Sequence, residues 1–166
     1  RIVLNGQNME LIRVAIDGRE LTDQDYRISA DTLEILSAPD QCLLSIEVRI
    51  KPHENTALEG LYPSGNFLLT QCEAEGFRKI TSFPDRPDVM TRYDVTITAN
   101  KERYPVLLSN GNAVDSGDTE DGRHWVRWED PYVKPCYLFA LVAGDLAFVE
   151  DHFITRSGRD VTLRVY

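Results

Sequence analysis

Thr91-Arg92-Tyr93-Asp94-Val95-Thr96-Ile97-Thr98 decides the fold class. In an extended chain Tyr93, Val95 and Ile97 share one face, and Arg92 and Asp94 take the other. That period of two belongs to a half-buried strand. Cys42 to Lys51 repeats it, with Leu44, Ile46, Val48 and Ile50 opposing Ser45, Glu47, Arg49 and Lys51. Further strands are predicted at Glu10–Ile16, Thr32–Leu36, Phe67–Gln71, Val106–Ser109, Arg123–Glu129, Tyr137–Val142, Phe148–Thr155 and Val161–Tyr166. Asp17-Gly18, Asn110-Gly111, Asp121-Gly122 and Ser157-Gly158 punctuate them, dipeptides that tolerate the positive φ of tight hairpins. Tyr137 to Ala143 has no polar alternation, so a central strand buried on both faces is expected there. Helix is predicted only as one or two turns near Glu73–Ile80, and Pro84 and Pro87 stop it running on. No fixed-period repeat or Ser/Gly linker divides the chain. The reading is one all-β domain over residues 1–166, mostly antiparallel, a sandwich or layered saddle of short sheets.

The 166 residues carry 18 Lys+Arg against 27 Asp+Glu, a net charge of −9, and 42% are hydrophobic. This composition suits a globular domain able to bury its own core. No apolar run approaches the roughly 20 residues of a membrane-spanning helix, so no membrane partner is expected. The acidic balance argues against nucleic acid, whose phosphates require clustered Lys and Arg. Cys42, Cys72 and Cys136 are few, odd in number and widely spaced. They read as reduced structural thiols of an intracellular protein. The chain opens on Arg1 rather than Met, so its true start is expected upstream.

The residues give little sign of a self-contained enzyme. His53, His124 and His152 lack HExxH or any close pairing, and solvated or core histidines are the plainer reading. Asp115 to Gly122 invites comparison with a calcium loop. Counted from Asp118, however, Gly122 falls at position five rather than six, so a hairpin with a charged face is expected. Ser64 and Ser157 lack a nucleophile elbow, and no glycine-rich phosphate cradle occurs. Trp125 and Trp128, three apart on a predicted strand, should face opposite sides. With Tyr62 they leave a carbohydrate-binding platform as a minor alternative.

One segment departs from this. In Gln71-Cys72-Glu73-Ala74-Glu75-Gly76-Phe77-Arg78, polar and acidic residues stand where an apolar strand would otherwise continue. Gln71 and Glu73, at alternate positions, offer an amide and a carboxylate suited to a cationic amine. From the residues alone, a solvated strand end is the plainer reading of the same two positions.

Several runs carry a resemblance: Leu58-Glu59-Gly60-Leu61-Tyr62, Thr70 to Arg78, Asp85-Arg86-Pro87-Asp88-Val89, Pro105 to Asn112, Gly122-Arg123-His124-Trp125-Val126 and Lys134 to Gly144. Together they resemble the N-terminal domain of the M1 family of zinc metallopeptidases, in its bacterial aminopeptidase N branch, over essentially the whole chain. The resemblance implies a β-saddle domain followed by a catalytic domain of the same polypeptide. The zinc cofactor, its HExxH helix and the GAMEN loop lie outside this chain, so the chain alone is expected to bind no metal and to be inactive. The whole protein is expected to be a cytoplasmic metalloaminopeptidase that removes N-terminal Ala and other neutral or basic residues. Its Gln-x-Glu maps onto Gln71 and Glu73, with Glu73 binding the peptide substrate's α-ammonium and Gln71 shaping the pocket for the first side chain. Glu75 is expected to orient Arg78 or the loop, Cys72 to be structural, and Asp85 to Asp88 to form a loop locked by an Arg–carboxylate pair. The alternative is a non-catalytic β-sandwich binding or scaffold module.

Overall fold

The computed structural model describes all 166 residues, Arg1–Tyr166. It contains fifteen strands in five small sheets, every pair antiparallel. The first sheet has the order β1-β5-β4, from Ile2–Asn5, Thr32–Ile35 and Tyr26–Ile28. The second runs β3-β2-β6, from Arg19–Glu20, Glu10–Ile16 and Leu44–Arg49. The third, β10-β13-β8-β7, joins Val106–Ser109, Leu141–Gly144, Phe67–Gln71 and Gly60–Ser64. In the fourth, β11-β12-β9, Arg123–Lys134 lies between Asn112–Asp118 and Thr91–Asn100. A last ribbon pairs β14 (Val149–Ile154) with β15 (Asp160–Val165). Helix is confined to short 3-10 turns at Pro52–Glu54, Phe77–Lys79 and Cys136–Leu138.

Alternation along the strands creates the cores. Val14 and Ile16 of β2 meet Ile35 of β5, with Leu21, Leu44 and Ile46 around them, so the first two sheets form one sandwich. Ile97 of β9, Leu107 of β10 and Ala143 of β13 join Val95, Val126, Trp128 and Leu68 between the third and fourth sheets. Trp128 faces this core and donates from Nε1 to the Leu107 carbonyl at 3.2 Å. Trp125 takes the opposite face, where its indole covers Gly117. Between the sandwiches lies a third cluster of Cys72, Phe77 and Cys136 with Ile80, Phe83, Tyr93 and Phe139. Its rings pack edge-on, Phe77 against Phe83 and Phe139 at 5.1 and 5.2 Å between centroids. Pairs of this kind contribute about 0.5–1.5 kcal/mol beyond their buried area.

The all-β fold class stands, and the helical content near Glu73–Ile80 is the single 3-10 turn at Phe77–Lys79. The strand expected at Tyr137–Val142 requires correction. Pro135 leads into the turn at Cys136–Leu138, closed by Phe139 N–H donating to the Cys136 carbonyl at 3.0 Å, and pairing begins only at Leu141. Cys136 and Phe139 enter the small aromatic core and Leu138 is exposed, so the apolar run reflects a packed turn rather than a doubly covered strand. Asp115 to Gly122 is a hairpin with an almost fully exposed strand β11.

Ile35 has no solvent exposure and Val14 only 1%. Ile35→Ala is expected to destabilise the fold by about 2–5 kcal/mol through lost burial and the cavity left behind. Urea denaturation would show this as a lower midpoint at unchanged slope.

Candidate functional site

Strand β8 ends at Gln71, and the chain then turns through Cys72–Gly76 into the 3-10 turn at Phe77–Lys79. The turn closes when Gly76 N–H donates to the Cys72 carbonyl at 2.8 Å. Gly76 is required there, because a Cβ would strike the Gln71 carbonyl oxygen and lie 3.0 Å from the Gly60 nitrogen. Cys72 and Phe77 anchor the segment at its two ends, buried at 2% and 6% exposure. Glu73, Ala74 and Glu75 stand exposed between them. The Glu73–Ala74 peptide bond is cis.

The two expected site residues are brought together. Gln71 Nε2 donates to the backbone carbonyl of Glu73 at 3.2 Å, tying the strand end to the turn. The Glu73 carboxylate makes no hydrogen bond or ion pair within the chain, unlike its neighbours. Glu75 meets Arg78 Nη1 at 3.2 Å, as expected for a residue that orients Arg78. Glu59, just before β7, pairs with Lys79, and the Asn55 side chain donates to the carbonyls of Glu59 and Leu61.

Beneath the turn lies a residue whose position the sequence did not disclose. Asp85 is 3% exposed, yet its carboxylate is well partnered. Oδ2 accepts from the Arg78 backbone N–H at 3.1 Å and from Arg78 Nε at 2.9 Å, while Cys136 donates its thiol to Oδ1 at 2.9 Å. Arg78 Nη2 reaches the Asp85 carbonyl at 3.1 Å, and Asp85 N–H donates to Asn5 Oδ1 at 3.2 Å. The Arg–carboxylate pair expected within residues 85–88 does form, but between Arg86 and Asp88 at the surface, 2.6 Å apart. The buried pair is a second one, crossing back to Arg78. Pro84 and Pro87 restrict this loop, but nothing in the residue order marks which way the aspartate faces.

Burial and nearby Asp85 push the Cys72 thiol up to about 12 from 9.0, and burial and the hydrogen bond to Asp85 do the same for Cys136. Both are therefore inert structural thiols near neutrality. The three histidines stay apart: His53 is exposed, His152 lies on the terminal ribbon, and His124 Nε2 meets the Tyr104 carbonyl at 2.7 Å. No group of three or more His, Cys, Asp or Glu side chains is arranged to hold a metal ion, so the zinc implied by the resemblance has no ligand set in these residues.

A family profile described as Peptidase M1 N-terminal domain matches residues 1–138. The chain belongs to the M1 peptidase N-terminal domain family. It is 56% identical over 165 residues to Aminopeptidase N of Caulobacter vibrioides, covering 99% of this chain and 19% of that protein. To Aminopeptidase N of Escherichia coli strain K12 it is 53% identical over 163 residues, 98% of this chain and 18% of the relative. This M1 N-terminal domain thus spans about a fifth of the length of the relatives it matches. Among solved structures, aminopeptidase A of Legionella pneumophila in complex with aspartic acid superposes with a TM-score of 0.90 at 40% identity, over 98% of this chain and 19% of that one. An M1 zinc metallopeptidase of Deinococcus radiodurans, 16% identical with a TM-score of 0.79 over 98% of this chain and 38% of its own, shares the fold.

Two measurements test the M1 domain's buried base. Asp85→Ala takes from the Arg78 guanidinium, 14% exposed in its side chain, its buried partner and leaves it only Glu75 at the rim, which should cost about 3–5 kcal/mol in urea denaturation. The thiols give a pH signature. The folded chain keeps thiol protons that the unfolded chain releases, so the thiols' contribution to stability is constant below about pH 9 and falls as pH rises towards 12, by about 1.4 kcal/mol per thiol per pH unit. Replacing both thiols by Ala should remove the decline between about pH 9 and 10 and make it shallower above, where Tyr93, whose hydroxyl burial also pushes up to about 12, still contributes.

Proposed function

We propose that this domain supplies the substrate-amine end of an aminopeptidase active site. Glu73 binds the free α-ammonium group of a peptide, and Gln71 shapes the pocket for the first side chain. The supporting observation is the turn itself: the Glu73 carboxylate has no partner in the chain, yet the turn that presents it is anchored by Cys72 and Phe77 and by the Arg78–Asp85 pair. A carboxylate held out without a cation suits a ligand that brings its own. An α-amino group, with a pKa of about 8, is mostly protonated near neutrality. Pairing it at the closed end of a cleft fixes which peptide bond is presented, and an internal stretch of peptide has no ammonium to offer.

The relatives are aminopeptidases N, which supports hydrolysis of N-terminal residues as the activity of the whole protein. The catalytic domain and the zinc belong, in this reading, to the rest of the polypeptide, and nothing in the role given to Glu73 requires the metal. We place the protein in the cytoplasm on its three unpaired cysteines, two of them buried. For the first residue we favour Ala and other neutral or basic side chains. The Legionella relative is named as a complex with aspartic acid, so an aspartyl substrate belongs beside the alanyl and arginyl ones.

In the intact polypeptide, Glu73→Gln should lower kcat/KM for an L-alanyl amide by about 30- to 1000-fold, the loss expected of a removed charge partner worth about 2–4 kcal/mol. Zinc content should not change. An N-acetylated alanyl amide should not be cleaved by the unsubstituted enzyme. Undiminished hydrolysis by Glu73→Gln would remove Glu73 from the role given to it. Failure of the intact, zinc-loaded protein to cleave any of the three amides would leave a binding or scaffold module.

A further inference from the structure

The two oxygens of the buried Asp85 carboxylate are met unequally. Oδ2 accepts from the backbone N–H and from Nε of Arg78, at 3.1 and 2.9 Å, while Oδ1 has a single donor, the Cys136 thiol at 2.9 Å. A cysteine buried to 1% exposure is ordinarily a small apolar filler, and its thiol a weak donor. Opposite an ionised acceptor the bond is charge-assisted, and an acceptor left bare in the interior is costly. Burial, with the hydrogen bond to Asp85, pushes the thiol up to about 12, so its proton stays in place across the neutral range.

The place of Cys136 in the fold gives that bond its reach. The 3-10 turn at Cys136–Leu138 carries the thiol into one buried cluster with Cys72 and Phe77, the two residues that anchor the Glu73 turn. Through Asp85 it also meets Arg78, which directly follows Phe77 and whose guanidinium continues to Glu75 at 3.2 Å. Both ends of the turn that carries Glu73 therefore close on one side chain. With no donor at Oδ1 the carboxylate turns its unmet oxygen towards Arg78, and the contacts that fix the end of the turn shift with it.

We propose that Cys136 is a positioning residue for substrate-amine binding, its hydrogen bond to Asp85 fixing the turn on which Glu73 stands. This rests on the role given to Glu73 above. In this role Cys136 touches no substrate, and what the position requires is a buried hydrogen-bond donor rather than sulfur. A hydroxyl meets that requirement, and an apolar side chain of any size does not.

Substitutions in the intact polypeptide test it, with rates taken per zinc-loaded enzyme. Cys136→Ser should keep kcat/KM for an L-alanyl amide within about threefold, whereas Cys136→Val, which fills the site without a donor, should lower it at least about tenfold. Packing alone predicts the reverse order, because valine is the better apolar filler. In a Glu73→Gln background Cys136→Val should cost less than about twofold, since no carboxylate is left to position. Equal losses in the two backgrounds would mark a structural role and overturn the proposal, as would equal rates for the Ser and Val variants. Cys136→Ala replaces Cys136→Val if the larger side chain prevents folding, and if neither yields zinc-loaded protein the thiol serves the fold and the proposal falls. Undiminished hydrolysis by Glu73→Gln alone would instead remove the amine reading and this proposal with it, so the two failures are told apart.

Discussion

The carboxylate of Asp85 is the point on which the candidate site depends. An ionised carboxylate at 3% exposure is tolerable only when its lone pairs are met, because an unpaired buried charge costs several kcal/mol. Here the donors come from two parts of the chain, Arg78 through side chain and backbone and Cys136 through its thiol. The aspartate's own N–H reaches Asn5, whose backbone exchanges two hydrogen bonds with Phe83. Strand β1, the 72–79 turn, the 83–88 loop and the turn after Pro135 are therefore held together by one buried charge and the bonds around it. Removing any donor leaves part of that charge unmet, so these segments are coupled in stability.

That coupling explains how an exposed turn can be well positioned. Glu73 and Gln71 gain no order from burial of their own. The turn that carries them is instead pinned at Cys72 on one side and Phe77 on the other, within a cluster of edge-packed rings. Gly76 lets the backbone fold back against Gln71 and Gly60 at a distance no side chain permits. Arg78 grips Asp85 below and Glu75 above, linking the buried base to the exposed rim. The side chains proposed to meet substrate stay free because the residues between and beneath them are not.

Much of this was legible from residue order. The period-two pattern at Thr91–Thr98 falls within the observed strand β9, and that at Cys42–Lys51 contains the shorter β6, since one buried face is enough to write that signal. Short or two-sided strands left no such trace. β7 carries Pro63 at a sheet edge, and β11 is polar along both faces. The run from Tyr137 to Ala143 misled for the opposite reason: a turn packed against a small core is as apolar as a central strand, and periodicity cannot separate them. Gln71 and Glu73 stood out because polar residues interrupted a strand. Asp85 did not, because an aspartate in a proline-flanked loop has the same letters whether it faces water or a buried guanidinium.

In the proposed reading the Glu73 turn is one side of a site that a second surface completes. At 4 Å a carboxylate and an ammonium attract by about 1 kcal/mol in bulk water, and by about 4 kcal/mol at the effective dielectric of a partly enclosed protein surface. On the open face seen here Glu73 sits near the first limit, too weak to discriminate a free N-terminus from any other cation. A second surface laid over the turn moves it towards the second limit and makes the absence of an ammonium costly. On that proposal the domain holds a recognition group ready without binding strongly by itself. Position is set by the buried Asp85 cluster, and strength by whatever excludes water from Glu73. The two requirements fall on separate parts of the molecule.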